Sequence, residues 1–309
     1  MVGVKDGLNP FKNITEALFG TKTMDESTRL LGDMLFTNLT KDNVEIQGKI
    51  GKVVDRSTQI PLSDLMSTVQ TRSESALVHR HPNSEFVSSL SKQTFQHLNS
   101  ILNKRYKDLQ DAKANKDYKG PTMEYHRVLE VDRFYKDKNS SDWIRVSIDP
   151  DTEMKKRAIR KTRLQNLDYF CPHRCWDFRI TVSEELELPL PSDKEVPICE
   201  RRKDKLSYTF DMWRIDITVV KKSNMDASGV PIGEYTETYE VEMICESGVL
   251  LDHRKKCLEG QQNDLLFYTK TLLKNMRTLN KSCEEPKPQQ QLPRPINNEE
   301  HASKKQRIQ

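Results

Sequence analysis

Apolar and polar residues alternate with a period of two over several segments of this 309-residue chain. In residues 144–148 the apolar side chains fall at every second position, with Arg145 and Ser147 between them. This period is typical of β-strands whose two faces differ chemically. The same pattern occurs in residues 44–50, 178–183, 215–219 and 239–243. The sequence therefore predicts several strands that each pair an apolar face with a charged one.

The charged faces of these strands allow two interpretations. A strand of an ordinary sheet often turns its polar face to water. Here, however, the polar positions hold Arg, Glu, Asp and Thr, and both signs of charge recur from strand to strand. If the sheet closes with these faces inward, it forms a tunnel lined by acids and bases, and the apolar outer faces pack under helices. We therefore predict an α+β, mainly β fold: a closed barrel with a polar interior, covered by a few helices.

Apolar residues at helical spacing predict three helices. The first follows the capping candidates Asp25 and Ser27 and precedes the first strand. The second is predicted over residues 86–106 and the third over residues 263–279. These helices are the expected cover of the barrel.

The chain is expected to form one domain with two appendages. Residues 1–24 show little periodicity and are predicted to be a flexible N-terminal segment. Residues 283–309 are rich in Pro and Gln and are predicted to be a disordered tail, because they cannot bury enough apolar surface to offset their ordering entropy. Residues 25–282 remain as the predicted tunnel domain.

Composition and charge exclude several classes of protein. The formal net charge of +4, from 50 basic and 46 acidic residues, gives little overall attraction to nucleic acid, so an anion site must come from local arrangement. No apolar stretch approaches the roughly 18 residues of a membrane span, and the N-terminus lacks the pattern of a secretory signal. We therefore expect an intracellular protein with no membrane partner. The six cysteines form no pair of CxxC motifs, and we assign them no role.

Two acidic segments are candidates for a metal site. Glu45, Gln47 and Lys49 share one face of a predicted strand, and carboxylate oxygens beside an ammonium suit a hard divalent cation with a phosphate next to it. Glu240 and Glu242 share a face of another strand, where two like charges are costly to hold together without a cation. Alone, the first segment is weak evidence for a metal site, and the second segment strengthens that evidence.

A basic segment is a candidate for an anion site. Arg201, Lys203 and Lys205 project from the same face of a predicted strand. Three cations on one face repel each other unless an anion lies among them, so a bound polyphosphate would explain the pattern. A solvated basic edge strand or a nuclear-import patch are the alternatives.

Taken in order, these segments resemble the fungal and protozoan RNA triphosphatases of mRNA capping, which are triphosphate tunnel metalloenzymes. The match is to the fungal members and runs from about residue 26 to residue 282. It includes VEIQGKIG at 44–51 with VD at 54–55, IRVS at 144–147, RKTR at 160–163, DFRITVS at 177–183 with Glu185, RKDKLSYTF at 202–210, RIDIT at 214–218 and YEVEM at 239–243.

The resemblance implies a tunnel of eight antiparallel strands and assigns roles to its lining. The metal, Mg²⁺ or Mn²⁺, would be held by Glu45, Gln47 and Glu242, with Glu240 close by. The triphosphate would be bound by Arg145, Lys161, Arg179, Arg201, Lys203 and Lys205. Glu185 would orient the attacking water or the basic groups, and Asp216 with Thr218 would hold neighbouring side chains in place.

The sequence departs from the family pattern at two positions. The family's first strand normally has glutamate where this chain has Gln47, which can offer an oxygen but no charge. The family's last strand has three alternating glutamates, and this chain has two. Either Thr238 takes the place of the first glutamate or Ile244 takes the place of the third. We prefer Thr238, because that alignment keeps a carboxylate at the metal.

The resemblance implies an RNA 5′-triphosphatase that acts in the first step of mRNA capping. Water would attack the γ-phosphorus directly, and no covalent enzyme intermediate is needed. One alternative is a catalytically reduced scaffold or binding subunit of a transcription complex; another is a tunnel enzyme acting on free nucleotides or polyphosphate. The expected location is the nucleus. The expected partners are the 5′-triphosphate end of nascent RNA, the guanylyltransferase and the RNA polymerase II C-terminal tail, with homodimerisation left open.

Overall fold

The computed structural model describes residues 25–65, 75–77, 83–115, 117–138 and 140–284. The helices within these ranges are α1 (Glu26–Asn38), α2 (Leu62–Leu65), α3 (Lys92–Lys113), α4 (Ser247–Leu258) and α5 (Leu265–Ser282). The strands are β1 (Val44–Asp55), β2 (Ser75–Leu77), β3 (Ser84–Val87), β4 (Glu124–Lys136), β5 (Trp143–Ile148), β6 (Lys155–Phe170), β7 (Asp177–Leu188), β8 (Cys199–Phe210), β9 (Trp213–Met225) and β10 (Pro231–Cys245).

Eight of the strands close into a barrel. Going round it, β1 is followed by β7, β6, β5, β4, β8, β9 and β10, and β10 pairs again with β1. Every one of these pairings is antiparallel. The short strands β3 and β2 extend the sheet beside β1 and β6. The predicted eight-stranded antiparallel tunnel barrel is confirmed.

The apolar outer faces of the barrel strands pack under helices, as the alternation predicts. Ile46 and Ile50 of β1 are fully buried in the main core cluster, which also includes Leu272 and Met276 of α5. Helix α5 lies so close to β1 that a Cβ atom added at Gly48 would be 2.2 Å from the sulfur of Met276. Residues of β1 that alternate with these apolar residues are left to face the barrel interior.

The helix predictions hold in part. Helix α1 begins behind Asp25, whose carboxylate accepts a hydrogen bond from the backbone N–H of Thr28 at 3.2 Å, as predicted. The predicted helix over 86–106 is wrong at its start, because residues 84–87 pair with the end of β1 as a strand. Helix α3 begins instead behind Ser91 and continues to Lys113. Helix α5 corresponds to the third prediction, and α4 was not predicted.

Strands β4 and β6 were not predicted from the alternation. In β6, charged residues occupy both faces: Lys161 lines the barrel interior, whereas the neighbouring Arg160 bonds Asp137 at 2.9 Å. A register shift between Arg163 and Gln165 also interrupts the period. A strand with charges on both faces has no apolar face for the pattern to reveal.

The two predicted appendages lie almost entirely outside the described residues. Residues 1–24 are not described, and of the predicted tail only Cys283 and Glu284 are. Cys283 is fully buried after the end of α5, and Glu284 accepts a hydrogen bond from Arg174 at 2.5 Å. None of the six cysteines forms a disulfide. No helix in the described part of the chain is long and apolar enough to cross a membrane.

A charged cluster between β4, β8 and β10 supplies a test of stability. Glu200 is buried and bonds Arg133, Arg202 and Tyr235 at 2.8, 2.8 and 2.9 Å. Burial opposes ionisation of this carboxyl, but these hydrogen bonds outweigh it and hold its pKa below the usual value. A lowered pKa means that the ionised form stabilises the fold above about pH 4.5 and that this contribution disappears as pH falls further.

We therefore expect Glu200→Gln to lower the free energy of unfolding at pH 7 by about 2 kcal/mol, the size of a hydrogen bond to a charged group. The difference between wild type and variant should shrink as pH falls below about 4.5. Urea unfolding followed by circular dichroism at pH 7 and pH 3.5 measures it. A difference independent of pH would show that the charge of Glu200 does not stabilise the barrel.

Candidate active site

The barrel encloses a polar cavity of about 550 Å³. It is lined by twelve of the thirteen side chains that the sequence selected: Glu45, Gln47, Arg145, Lys161, Arg179, Arg201, Lys203, Lys205, Asp216, Thr218, Glu240 and Glu242. The thirteenth, Glu185, is not among the lining residues, but it lies 3.5 Å from both Arg145 and Lys161. Residues scattered over seven strands thus meet in one tunnel, because each projects from the inner face of its strand.

Each cation of the basic segment is paired with a carboxylate on another strand. Arg201 bonds Glu240 at 2.6 Å, Lys203 bonds Asp132, and Lys205 bonds Glu130 at 2.5 Å. Two of these acids lie on β4, which runs beside β8. The expectation that the three cations need a bound anion to relieve their repulsion is therefore wrong. The alternative of an exposed edge strand is also wrong, because β8 lies between β4 and β9.

Lys161 and Glu185 connect four neighbouring strands of the barrel, β1, β5, β6 and β7. The ammonium of Lys161 bonds the carboxylate of Glu45 and lies 3.5 Å from Glu185. The guanidinium of Arg145 lies 3.5 Å from the same oxygen of Glu185. Glu185 is thus in contact with two of the tunnel cations, and its expected role in orienting the attacking water or the basic groups stays a prediction.

The acidic residues of β1 and β10 occupy different parts of the tunnel. Glu242 bonds Lys49 at 2.7 Å. Burial raises the pKa of Glu242, but the ammonium of Lys49, helped by Lys161 and Lys203, outweighs burial and lowers it to about 2. Glu240, by contrast, bonds Arg201. It lies further along β10 from the residue opposite Gln47, so the structure does not bring it to the Glu45–Gln47 face.

The register between β1 and β10 shows which residue of β10 lies beside Gln47. Gln47 lies opposite Ile244, and Lys49 lies opposite Glu242. The side chain of Ile244 lines the tunnel, whereas Thr238 lines a neighbouring cavity. The structure therefore places Ile244, and not Thr238, beside Gln47 in the tunnel, while the alignment of either residue with a family glutamate stays a prediction. At this point of the tunnel an amide on β1 thus faces an aliphatic side chain on β10, and neither of the two residues carries a charge.

The remaining oxygen donors can still hold a divalent cation. Gln47 is 7% exposed, and its amide has no hydrogen-bond partner among the described residues, although it faces a polar tunnel beside Glu45. The amide borders the space of the tunnel, so its oxygen is accessible to a ligand there. Mg²⁺ commonly takes only one or two carboxylates and completes its shell with water and phosphate oxygens. In the described part of the chain, no three His, Cys, Asp or Glu side chains converge as a metal cluster.

The side chain of Arg179 is already held by other residues of the barrel, unlike that of an arginine left free to bind phosphate. Its guanidinium forms a two-point ion pair with the buried carboxylate of Asp168, one contact being 2.7 Å, and lies 4.6 Å from the centre of the Phe86 ring. Arg179 still lines the tunnel, but part of its donor capacity is already used. Asp216 similarly bonds Arg214 at 3.0 Å.

Several lining residues were missed by the sequence analysis. The acids Glu130 and Asp132 of β4 alternate with Leu129 and Val131, but Arg133 and Phe134 then reverse the pattern, so the period-two signal is too short to recognise. Arg163 and Arg214 lie within matched motifs but received no role. Trp143, at the start of β5, gave no signal, because a single aromatic residue at a strand end has no recognisable pattern.

Sequence comparison identifies the family of this chain. A family model described as "mRNA capping enzyme, beta chain" matches residues 21–285. The chain belongs to this family. Among its members, the mRNA-capping enzyme subunit beta of Schizosaccharomyces pombe is 28% identical over 262 residues, which cover 82% of this chain and 80% of that protein. The corresponding subunit of Cryptococcus neoformans is 28% identical, over 71% of this chain and 53% of that protein.

Solved structures of the capping-enzyme β-chain family share the barrel. The structure of the S. pombe Pct1 RNA triphosphatase has a TM-score of 0.70 with this chain at 24% identity, and the alignment covers 86% of this chain and 95% of that one. A structure of the same protein in complex with the Spt5 CTD gives a TM-score of 0.69 at 25% identity, covering 84% and 95%. These likenesses agree with the closed tunnel described above.

Proposed function

We propose that this chain hydrolyses the γ-phosphate of triphosphate-ended RNA to leave a diphosphate end, the first step of mRNA 5′ capping, with Mg²⁺ or Mn²⁺ as cofactor. The observation that carries the proposal is the closed tunnel in which cations and carboxylates are paired across strands. An enclosed set of cations suits a ligand with several adjacent negative charges. Membership of the capping-enzyme β-chain family makes a 5′-triphosphate end that ligand.

The paired cations of the tunnel are able to bind phosphate without losing their carboxylates. A lysine ammonium has three N–H donors and an arginine guanidinium has five, so one carboxylate leaves donors unused. Lys203 and Lys205 are held by Asp132 and Glu130, and Arg201 by Glu240. These contacts fix the cations before the substrate arrives, so little reorganisation is needed when charge develops on the phosphates.

In the proposed reaction, water attacks the γ-phosphorus in line with the bond to the bridging oxygen. The new P–O bond forms to water, the bond to the bridging oxygen breaks, and that oxygen keeps the electron pair at the end of the diphosphate. The tunnel cations stabilise this charge, which is most of what a protein contributes to phosphoryl transfer. Glu185 contributes by positioning Arg145 and Lys161.

Glu45 and Gln47 would hold the divalent cation, with Glu242 within the electrostatic reach of the same Lys161. When bound, Mg²⁺ or Mn²⁺ would neutralise charge on the transferring phosphoryl group. Because Gln47 is neutral and Ile244 has no oxygen, the protein supplies little charge to this cation. We therefore propose that the metal is bound weakly compared with a site of three carboxylates.

Gln47→Glu should lower the Mg²⁺ or Mn²⁺ concentration required for half-maximal activity by tenfold or more, if the added charge contributes at least about 1.4 kcal/mol. The reason is that a second carboxylate attracts a dication strongly in a partly dehydrated tunnel. Phosphate release measured against metal concentration tests this expectation. An unchanged metal dependence would mean that residue 47 is not a ligand.

The activity itself is tested by phosphate release from three substrates, each with Mg²⁺ and with Mn²⁺: triphosphate-ended RNA, ATP and tripolyphosphate. The proposal expects release from the RNA. Faster release from ATP or tripolyphosphate would support an enzyme acting on free nucleotides or polyphosphate. No release from any of them would overturn the enzymatic proposal.

A catalytically reduced scaffold is the second candidate function. The observation that favours it is the lack of charge at the facing residues Gln47 and Ile244, together with the bond from Lys161 to Glu45. Such a protein would bind triphosphate ends without cleaving them. Filter binding of triphosphate-ended RNA with no phosphate release is its expected result.

The proposed partners follow from the family. We propose that the chain acts in the nucleus on nascent RNA, beside the guanylyltransferase that uses its product. One solved relative is a complex with the Spt5 CTD, and this supports docking of the present chain on the same kind of segment. Docking on the RNA polymerase II tail is a further part of the proposal. Co-purification with each partner tests the docking, and sedimentation tests homodimerisation.

A further inference from the structure

A second cavity, of about 700 Å³, lies beside the tunnel. Phe134, Trp143, Arg201 and Glu240 line both cavities. The two spaces are therefore adjacent, and the Arg201–Glu240 ion pair stands at their common wall. A ligand bound to the tunnel cations could therefore extend past this pair and occupy the second cavity as well.

Trp143 presents an unused aromatic face at this junction. It is the first residue of β5, and 48% of it is exposed. Among the described residues it has no aromatic or cation–π partner. The other two tryptophans differ, since Trp213 is buried in the core and Trp176 lies under the ammonium of Lys52 at 5.7 Å. The exposed indole therefore contributes little to the fold and remains open to a ligand.

The ring of Phe86, the third aromatic residue that lines the tunnel, is already covered by another side chain. Phe86 lies 4.6 Å from the guanidinium of Arg179, which covers its ring. Trp143, with Phe134 on the neighbouring strand β4, is thus the aromatic surface available beside the phosphate-binding cations. A large planar group attached to a phosphate chain has a stacking surface here.

The rest of the second cavity combines apolar and polar side chains, and the charges of Lys222 and Glu234 there are opposite. Asn224 and Ser223 of β9 and Thr236 and Thr238 of β10 supply amide and hydroxyl groups. Such a mixture of an aromatic surface with a few hydrogen-bonding groups is common in sites for small organic ligands, and 700 Å³ lies within their usual range of volume. The tunnel, by contrast, is lined mainly by charged residues and suits phosphates.

We propose that the second cavity binds the nucleoside of the first nucleotide, with its base stacked on Trp143, while the triphosphate lies in the tunnel. This inference rests on the proposed function. The triphosphate is covalently joined to the ribose, so the nucleoside must lie next to the cations, and the cavity adjacent to Arg201 is the space that offers it an aromatic face. Stacking accepts every base, because each has a π-face. The site would therefore recognise a nucleotide without selecting its sequence.

The test compares a ligand that has a base with one that has none. The probes are a short RNA ending in a non-hydrolysable β,γ-methylene triphosphate and inorganic tripolyphosphate, each titrated by calorimetry in the presence of Mg²⁺. Trp143→Ala should weaken RNA binding by about 5- to 100-fold, the range for loss of one stacked base. Its affinity for tripolyphosphate should change less than twofold. Trp143→Phe should retain most of the RNA affinity.

The control variant is Phe267→Ala, which removes another exposed aromatic side chain, on α5 and outside both cavities. It should bind both probes as the wild type does. Equal weakening of both probes by Trp143→Ala, or unchanged RNA binding, would overturn the nucleoside site while leaving the triphosphate tunnel in place. If tripolyphosphate failed to bind the wild type, the proposed function would fail as well.

Discussion

Lys203→Ala should lower the rate of γ-phosphate release at saturating substrate by about 100- to 1,000-fold, the usual loss when one preorganised charge-stabilising donor is removed from an active site. Lys203 projects into the tunnel, bonds Asp132 and lies 3.8 Å from Glu130. These contacts hold its ammonium in place before substrate binds. Single-turnover phosphate release at saturating RNA measures the chemical step without the contribution of product release.

This substitution also has a structural consequence. Asp132 is 3% exposed. Without Lys203 its carboxylate keeps the hydrogen bond from Ser147 but loses the ammonium that balances its charge. Removing one partner of a buried ion pair typically costs about 3–5 kcal/mol, so the single variant should be less stable. Lys203→Ala combined with Asp132→Asn should recover much of the stability but none of the activity. Recovered activity in the double variant would show that Lys203 acts only through the fold.

Gln47→Glu combined with Ile244→Glu should strengthen binding of Mn²⁺ to the protein without substrate by about a hundredfold or more, if each new carboxylate adds at least about 1.4 kcal/mol. The two residues lie opposite each other on β1 and β10, so the new carboxylates would join Glu45 in one site. Ile244 is only partly buried and lines the polar tunnel, and a glutamate there is compatible with the barrel. The measurement is the loss of the free Mn²⁺ signal in electron paramagnetic resonance.

In the matched control, Thr238 is substituted and Ile244 is left unchanged. Gln47→Glu with Thr238→Glu adds the same number of charges, but Thr238 lines the second cavity. Its Mn²⁺ affinity should match that of Gln47→Glu alone. Equal strengthening by the two double variants would mean that overall charge, and not the position opposite Gln47, governs metal binding.

The direction of side chains in the strands was determined by the sequence itself. Alternation in β1, β5, β7, β8, β9 and β10 indicated which residues share a face, and eleven of the twelve side chains selected on these strands do line the tunnel. This was predictable because successive side chains of a strand point to opposite sides, whatever the rest of the protein does. The resemblance to capping triphosphatases then supplied the number of strands.

The partners of those side chains were decided by the tertiary structure. A shift of two residues leaves every side chain on the same face, so the alternation could not tell whether Thr238 or Ile244 lies opposite Gln47. The pairing of Lys203 with Asp132 likewise depended on β4 lying beside β8. Strand order and register result from closing the whole barrel, in which strand tilt and stagger are linked around the ring. No segment of the sequence carries that information alone, and the chemistry of this tunnel depends on it.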